Sequence, residues 1–265
     1  MKLLRTLVLA TCLVGTVTSF AGAKDVNTLA GTMSIPNDVT IATASNTNTL
    51  GIVKDIIVKD SAKPSTHKMT RQSNQQALAV LDQMGLSYDV YQLQGADKTG
   101  QKDAFLVAVD VKVAAQQLAG KEANDPMFIA AMAALNKGQI DPVTEQLILG
   151  TINKQIPTTT TVVPLNGPIH VPSRNPEKGT IMPKVLKTLT VEDAQQVHPV
   201  AGTKYQTYAA SSRLLYADGN VQTPLYANAA FVLKPGKPVL YVGLTTDVQR
   251  DYFKPIFDNA FKSVK

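Results

Sequence analysis

The chain predicts an α+β fold: an antiparallel meander sheet flanked by helices in a sandwich-like arrangement. Three observations carry this. In the last third, Lys204 to Ala217, Val221 to Leu233 and Pro238 to Thr245 read as β-rich runs, turned at Asp218-Gly219-Asn220 and at Lys234-Pro235-Gly236-Lys237. A closing segment places Val248, Tyr252, Phe253, Ile256, Phe257, Ala260, Phe261 and Val264 on one helical face. Asp125-Pro126 and Asp141-Pro142 each open a further helix. There Asp caps free amides and Pro takes the first helical position, where its missing N–H costs nothing.

Taken in order, Met1 to Ala23 reads as an export signal. Lys2 and Arg5 form a positive front, Leu7 to Val17 is apolar, and Ala21-Gly22-Ala23 supplies the small residues of a cleavage site, so the mature chain is expected to begin at Lys24. The apolar stretch is well short of the ~20 residues that span a bilayer. Leu9-Ala10-Thr11-Cys12 departs from a lipoprotein pattern at Thr11, which leaves Cys12 a small hydrophobe inside the signal.

Residues 24–69 favour short strands. Gly31 to Ile35 and Val39 to Ala44 suggest a hairpin about Pro36-Asn37-Asp38, Leu50 to Lys59 is a third strand candidate, and Ser61 to Thr66 reads as a loop. Ser73 to Met84 has helical spacing, with Ala77, Leu78, Leu81 and Met84 on one face and Gly85 as the stop. Tyr88 to Gln94 and Asp103 to Lys112 pair as a hairpin about Gly95 to Gln101, with the continuously apolar Phe105 to Val109 in a central strand. The two Asp-Pro helices run to about Lys137 and about Asn153 and are expected to lie as an antiparallel pair on the sheet.

Between 156 and 183, prolines 157, 164, 168, 172, 176 and 183 block helices and interior strands and predict an extended connector. Residues 24–265 are read as a single α+β domain, with a division into two lobes at this connector left open. Thr190 to Gln196 is expected to form a short helix capped by Thr190. Pro255 requires the closing helix to start near Asp251 or to kink.

Removing residues 1–23 takes Lys2, Arg5 and no acid, so 26 basic and 20 acidic residues become 24 and 20 and the net charge falls from +6 to +4. That bias is too mild for a nucleic-acid binder. The sole cysteine leaves with the signal, so the mature protein has no disulfide and no thiol nucleophile. No transmembrane segment is expected after the signal.

Chemistry-bearing residues are sparse. His67, His170 and His198 are the three histidines, and no two have ligand spacing. Asp82, Asp89, Asp103 and Asp110 are scattered, while Asp125 and Asp141 are explained as caps. Ser211-Ser212 lacks a nucleophile elbow. No catalytic residue, cofactor or metal site is assigned. One region carries a local positive excess: Lys54, Lys59, Lys63, Lys68 and Arg71 outweigh Asp55 and Asp60. Lys63, His67, Lys68 and Arg71 are therefore candidates to contact an anionic lipid, polysaccharide or acidic envelope protein, against the ordinary alternative of a solvated face.

Ser34-Ile35-Pro36 near the mature start, the long meander and the closing Asn259-Ala260-Phe261-Lys262-Ser263 resemble the PsbP/Mog1/DcrB-like α/β/α sandwiches. The resemblance covers about the first 20 mature residues and the last 60. It implies an exported protein that binds partners rather than one that catalyses. The expectation is a periplasmic or extracellular, non-catalytic binding or accessory protein. The alternative is a carboxylate-based hydrolase of an envelope substrate.

Overall fold

The computed structural model describes residues 22–43, 88–112, 115, 124, 126–156, 161–164, 171–172, 180–181, 187–218 and 221–265. β11 (Thr207–Asp218), β12 (Val221–Val232) and β13 (Val239–Thr246) form the meander that their composition predicts, with Ala210 opposite Ala229 and Val232 opposite Val239. On the far side of β13 lies β5 (Gly100–Asp110), then its hairpin partner β4 (Tyr88–Asp97), then β3 (Thr40–Thr43) at the edge. On the far side of β11 lie β9 (Lys187–Glu192) and β6 (Thr161–Pro164), with β10 (His198–Pro199) also paired to β11. Among the described residues these nine strands make one sheet, antiparallel throughout.

The fold is α+β, and each face of the sheet meets a helix. On one face lies α3 (Arg250–Lys262), whose buried Phe253, Ile256, Phe257, Ala260 and Phe261 pack on Leu106, Ala108, Ala230 and Tyr241. Its phenylalanines stack along the helix, with ring centroids 5.9 Å apart for Phe253–Phe257 and 6.1 Å for Phe257–Phe261. Burying each ring contributes about 2 kcal/mol. Gly243 lets the helix sit this close, since a Cβ there would come within 2.6 Å of the Phe257 ring. The hairpin β1 (Ala23–Thr28) and β2 (Gly31–Pro36) closes this core with Met33 and Ile35, and Ser34 N–H donates to Ser263 Oγ at 2.7 Å. On the opposite face lies α2 (Pro142–Gln155), preceded by α1 (Pro126–Lys137). Gly138, at φ +69, ends α1 beside Pro235 in the β12–β13 turn.

Several expectations need correction. Gly31 to Ile35 and the strand after Pro36 do not form a hairpin: β2 pairs with β1, whereas β3 crosses to the main sheet and pairs with β4. β1 escaped the sequence reading because it is polar and half-exposed, with only Val26 packed on the core. Thr190 to Gln196 is not a helix. Lys187–Glu192 is a strand between β11 and β6, and Asp193 then turns the chain at φ 47, a left-handed conformation that Asp tolerates. Val248 stands 79% exposed instead of on the buried face, because Asp247–Gln249 is a separate 3-10 turn. β4 buries Val90, Tyr91 and Leu93.

The proline-rich connector is not structureless. It supplies the edge strand β6 and the short ladder of β7 (Val171–Pro172) with β8 (Thr180–Ile181). Pro255 lies inside α3, and the bond it cannot donate would go to the exposed Asp251, in the first turn. The expected strand Leu50 to Lys59, loop Ser61 to Thr66 and helix Ser73 to Met84 lie outside the described residues. Among the described residues no helix is long and apolar enough to cross a membrane.

Candidate functional site

The most distinctive local feature is a cavity of about 240 Å³ between α2 and the sheet. Its roof is Glu145, Ile148, Leu149 and Ile152 of α2. Its floor comes from Tyr208 and Ala210 of β11, Ala229 and Phe231 of β12, and Leu240 of β13. The register explains the hollow. Tyr208, Phe231 and Leu240 form one bulky cross-strand row, and the next row begins with two alanines, Ala210 opposite Ala229. A methyl where the neighbouring row carries rings leaves the helix with nothing to pack on. The wall is almost entirely hydrocarbon, and Ile148 and Ile152, 38% and 40% exposed, bring it to the surface.

Two side-chain amides hold α2 over this hollow. At its N-terminal end Ile140 N–H donates to Gln206 Oε1 at 2.7 Å, and Gln206 Nε2 donates to Ile140 O at 3.2 Å. Near its C-terminal end Val197 N–H donates to Asn153 Oδ1 at 2.7 Å, and Asn153 Nδ2 donates to Val197 O at 3.0 Å. Ile140 and Val197 themselves line the cavity. Asp141 caps the helix as expected, accepting from Val143 N–H at 3.1 Å and Thr144 N–H at 3.0 Å. The Thr144 side chain, and after it these N–H bonds, hold its carboxyl below the ordinary carboxylate value.

One polar corner interrupts the hydrocarbon. Gln206 Nε2 reaches Glu145 Oε2 at 3.4 Å, a long bond. Tyr208, 6% exposed, ends in a hydroxyl that lies beside Glu145 and Gln206 and completes a well-formed hydrogen bond with neither. Burial, and then the charge of nearby Glu145, raises the Tyr208 pKa, so the phenol stays protonated.

A second cluster lies where β13 leads into α3. Asp247 forms ion pairs with Arg213, whose Nε lies 3.2 Å away, and with Arg250, whose Nη1 lies 3.7 Å away, and Arg213 also lies 3.6 Å from Glu192. Both arginines are over 40% exposed, so these pairs tie the 3-10 turn to β11 and add little stability.

Ala23 and Lys24 of the expected cleavage site stand in β1, paired with Pro36 and Ile35, while Ala21 lies outside the described residues. So do the candidate anionic contacts Lys63, His67, Lys68 and Arg71, together with His170, Asp82 and Asp125. His198 is exposed in β10, with Nδ1 3.1 Å from Gln196 O. Asp89 accepts from Tyr91 Oη at 3.2 Å, Asp103 from Gln94 Nε2 at 3.0 Å, and Asp110 from Lys112 N–H at 3.0 Å. Ser212 Oγ donates to Glu192 O at 2.9 Å. None of these residues lines the cavity, and among the described residues no three His, Cys, Asp or Glu side chains gather to hold a metal. The sequence reading missed Glu145, Tyr208 and Gln206. The available signal was the pair of small-residue runs, 209–212 and 227–230, in adjacent strands. No protein-family model matches this chain, and no curated protein matches it.

Proposed function

We propose that this chain is an exported, non-catalytic binding protein of the cell envelope whose binding element is the cavity between α2 and the sheet. The observation that carries the reading is an apolar, surface-reaching cavity of about 240 Å³ roofed by a helix that also exposes Val143 and Leu147, at 78% and 70%. A pocket lined by hydrocarbon with a few convergent polar groups is how proteins hold small ligands. The resemblance to the PsbP/Mog1/DcrB-like sandwiches, themselves mostly binding proteins, points the same way. A carboxylate-based hydrolase would need a second acid close to the first, and Glu145 is the one acid among the described lining residues.

The test is an NMR titration of the mature chain, labelled at its alanine methyls, with naphthalene as the probe. Saturable shifts at Ala210 and Ala229, with the Ala210 shift lost in Ala229→Leu, are expected. No shift up to the solubility limit of naphthalene overturns the reading.

A further inference from the structure

We infer that the cavity takes a small cationic amphiphile, an alkylammonium whose hydrocarbon chain fills the space over Ala210 and Ala229 and whose head pairs with Glu145. The inference deepens the binding reading above and rests on it.

Size follows from volume. An apolar cavity of about 150 Å³ takes benzene, so one of 240 Å³ takes a body of about ten heavy atoms. The wall fixes its character: apart from the Glu145 and Tyr208 corner it offers nothing to hydrogen-bond, so polar groups along the body would be desolvated without return.

The head follows from what that corner leaves unused. Glu145 is half-buried, pairs with no cation among the described residues, and meets only the neutral Gln206 amide, by a long bond, and the neutral Tyr208 phenol. Carboxylates drawn out of water are ordinarily paired with a cation. The adjacent Tyr208 hydroxyl is buried beside Glu145 and Gln206 and completes a well-formed hydrogen bond with neither, so the same corner holds a second weakly satisfied polar group. No lysine, arginine or histidine is among the described lining residues to receive an anionic head. An ammonium supplies the charge and the donors that Glu145 lacks, and a carboxylate head would set like charges together.

The test uses the same alanine-methyl titration of the mature chain with three probes of one chain length: octylammonium, octan-1-ol and octanoate, at pH 7 and low salt. Octylammonium is expected to bind about tenfold tighter than octan-1-ol, the scale of one charge-assisted hydrogen bond, with octanoate weakest. Glu145→Gln should remove the advantage of octylammonium while leaving octan-1-ol unchanged. Octan-1-ol binding as tightly as octylammonium, or an unchanged order in Glu145→Gln, overturns the choice of head and leaves the cavity reading standing. If naphthalene does not bind, the cavity reading falls and this inference falls with it.

Discussion

Gln206 and Ile140 exchange two hydrogen bonds, 2.7 and 3.2 Å, in which a side-chain amide takes the place of a paired backbone. Asn153 and Val197 repeat the arrangement at the other end of α2, at 2.7 and 3.0 Å. A helix over a close-packed floor needs no such attachment. Here the floor is hollow at Ala210 and Ala229, and the two amides tether the helix where side-chain packing does not.

Removing either amide strands a backbone N–H and a carbonyl together. Gln206→Ala and Asn153→Ala should therefore each cost about 1–3 kcal/mol in urea unfolding. Amide hydrogen exchange should accelerate in 142–155 and not in α3. Asn153→Asp keeps the acceptor for Val197 N–H and loses the donor, so it should fall between wild type and Asn153→Ala. Equal exchange in α2 across all the variants would show that packing, not the amides, holds the helix.

On the other face the closest approach is Gly243 to Phe257. A Cβ 2.6 Å from the Phe257 ring must displace an aromatic that is itself stacked on Phe253 and Phe261. Gly243→Ala is expected to destabilise by about 1–3 kcal/mol, as overpacking does. In Phe257→Leu, where the ring is gone, the added cost of Gly243→Ala should shrink. A double-mutant cycle from denaturant midpoints measures that coupling; additive costs would mean that the glycine is needed for another reason.

Much of this architecture is legible in the residues. The meander follows from its β-rich runs and turn residues, α3 from its apolar face, and α1 and α2 from their Asp-Pro starts, because each signal is local. Two of the misreadings share one cause, which is pairing at long range. β2 has a turn beside it on both sides, and only the tertiary arrangement decides that it joins β1 and not β3. Thr190 suits a helix cap, yet the β-branched Thr188, Thr190 and Val191 sit better between two strands. The cavity was harder still. Ala210 and Ala229 are unremarkable alone and form a hollow only when register sets them side by side under α2.

Asp141 gives α2 a pH dependence. The Thr144 side chain, then the N–H groups of Thr144 and Val143, favour the ionised form, so its folded pKa lies below the ordinary 3.8. A depressed folded value means the cap is at full strength above pH 3.8 and is lost as pH falls below it through the folded value. Asp141→Asn should keep a cap, and Asp141→Ala should remove it; both should flatten this acid-side loss. Stability followed by urea midpoint from pH 5 to 2.5 checks the sign, and an Asp141→Asn protein that still loses as much as wild type would place the acid sensitivity elsewhere.

The processing site can be tested against the fold it would leave behind. A cut after Ala23 removes one end of β1: it breaks the Asn37 N–H bond to Gly22 O at 3.2 Å and the pairing of Ala23 with Pro36. It leaves the pairs from Lys24 with Ile35 to Thr28 with Gly31, and so keeps β1 on β2 while Met33 and Ile35 stay buried against α3. A cut two or three residues later would unpair half the hairpin and uncover that edge of the core. The protein recovered from the envelope fraction is therefore expected to have an intact mass matching 24–265 and an N-terminal sequence of Lys-Asp-Val-Asn. Because the residue before the cut must be small, Ala23→Tyr should leave an unprocessed precursor that can be detected by mass. Full-length chain beginning at Met1 and recovered only from the cytoplasm would overturn the export reading. A mass beginning after Val26 would keep export and show that β1 does not survive processing.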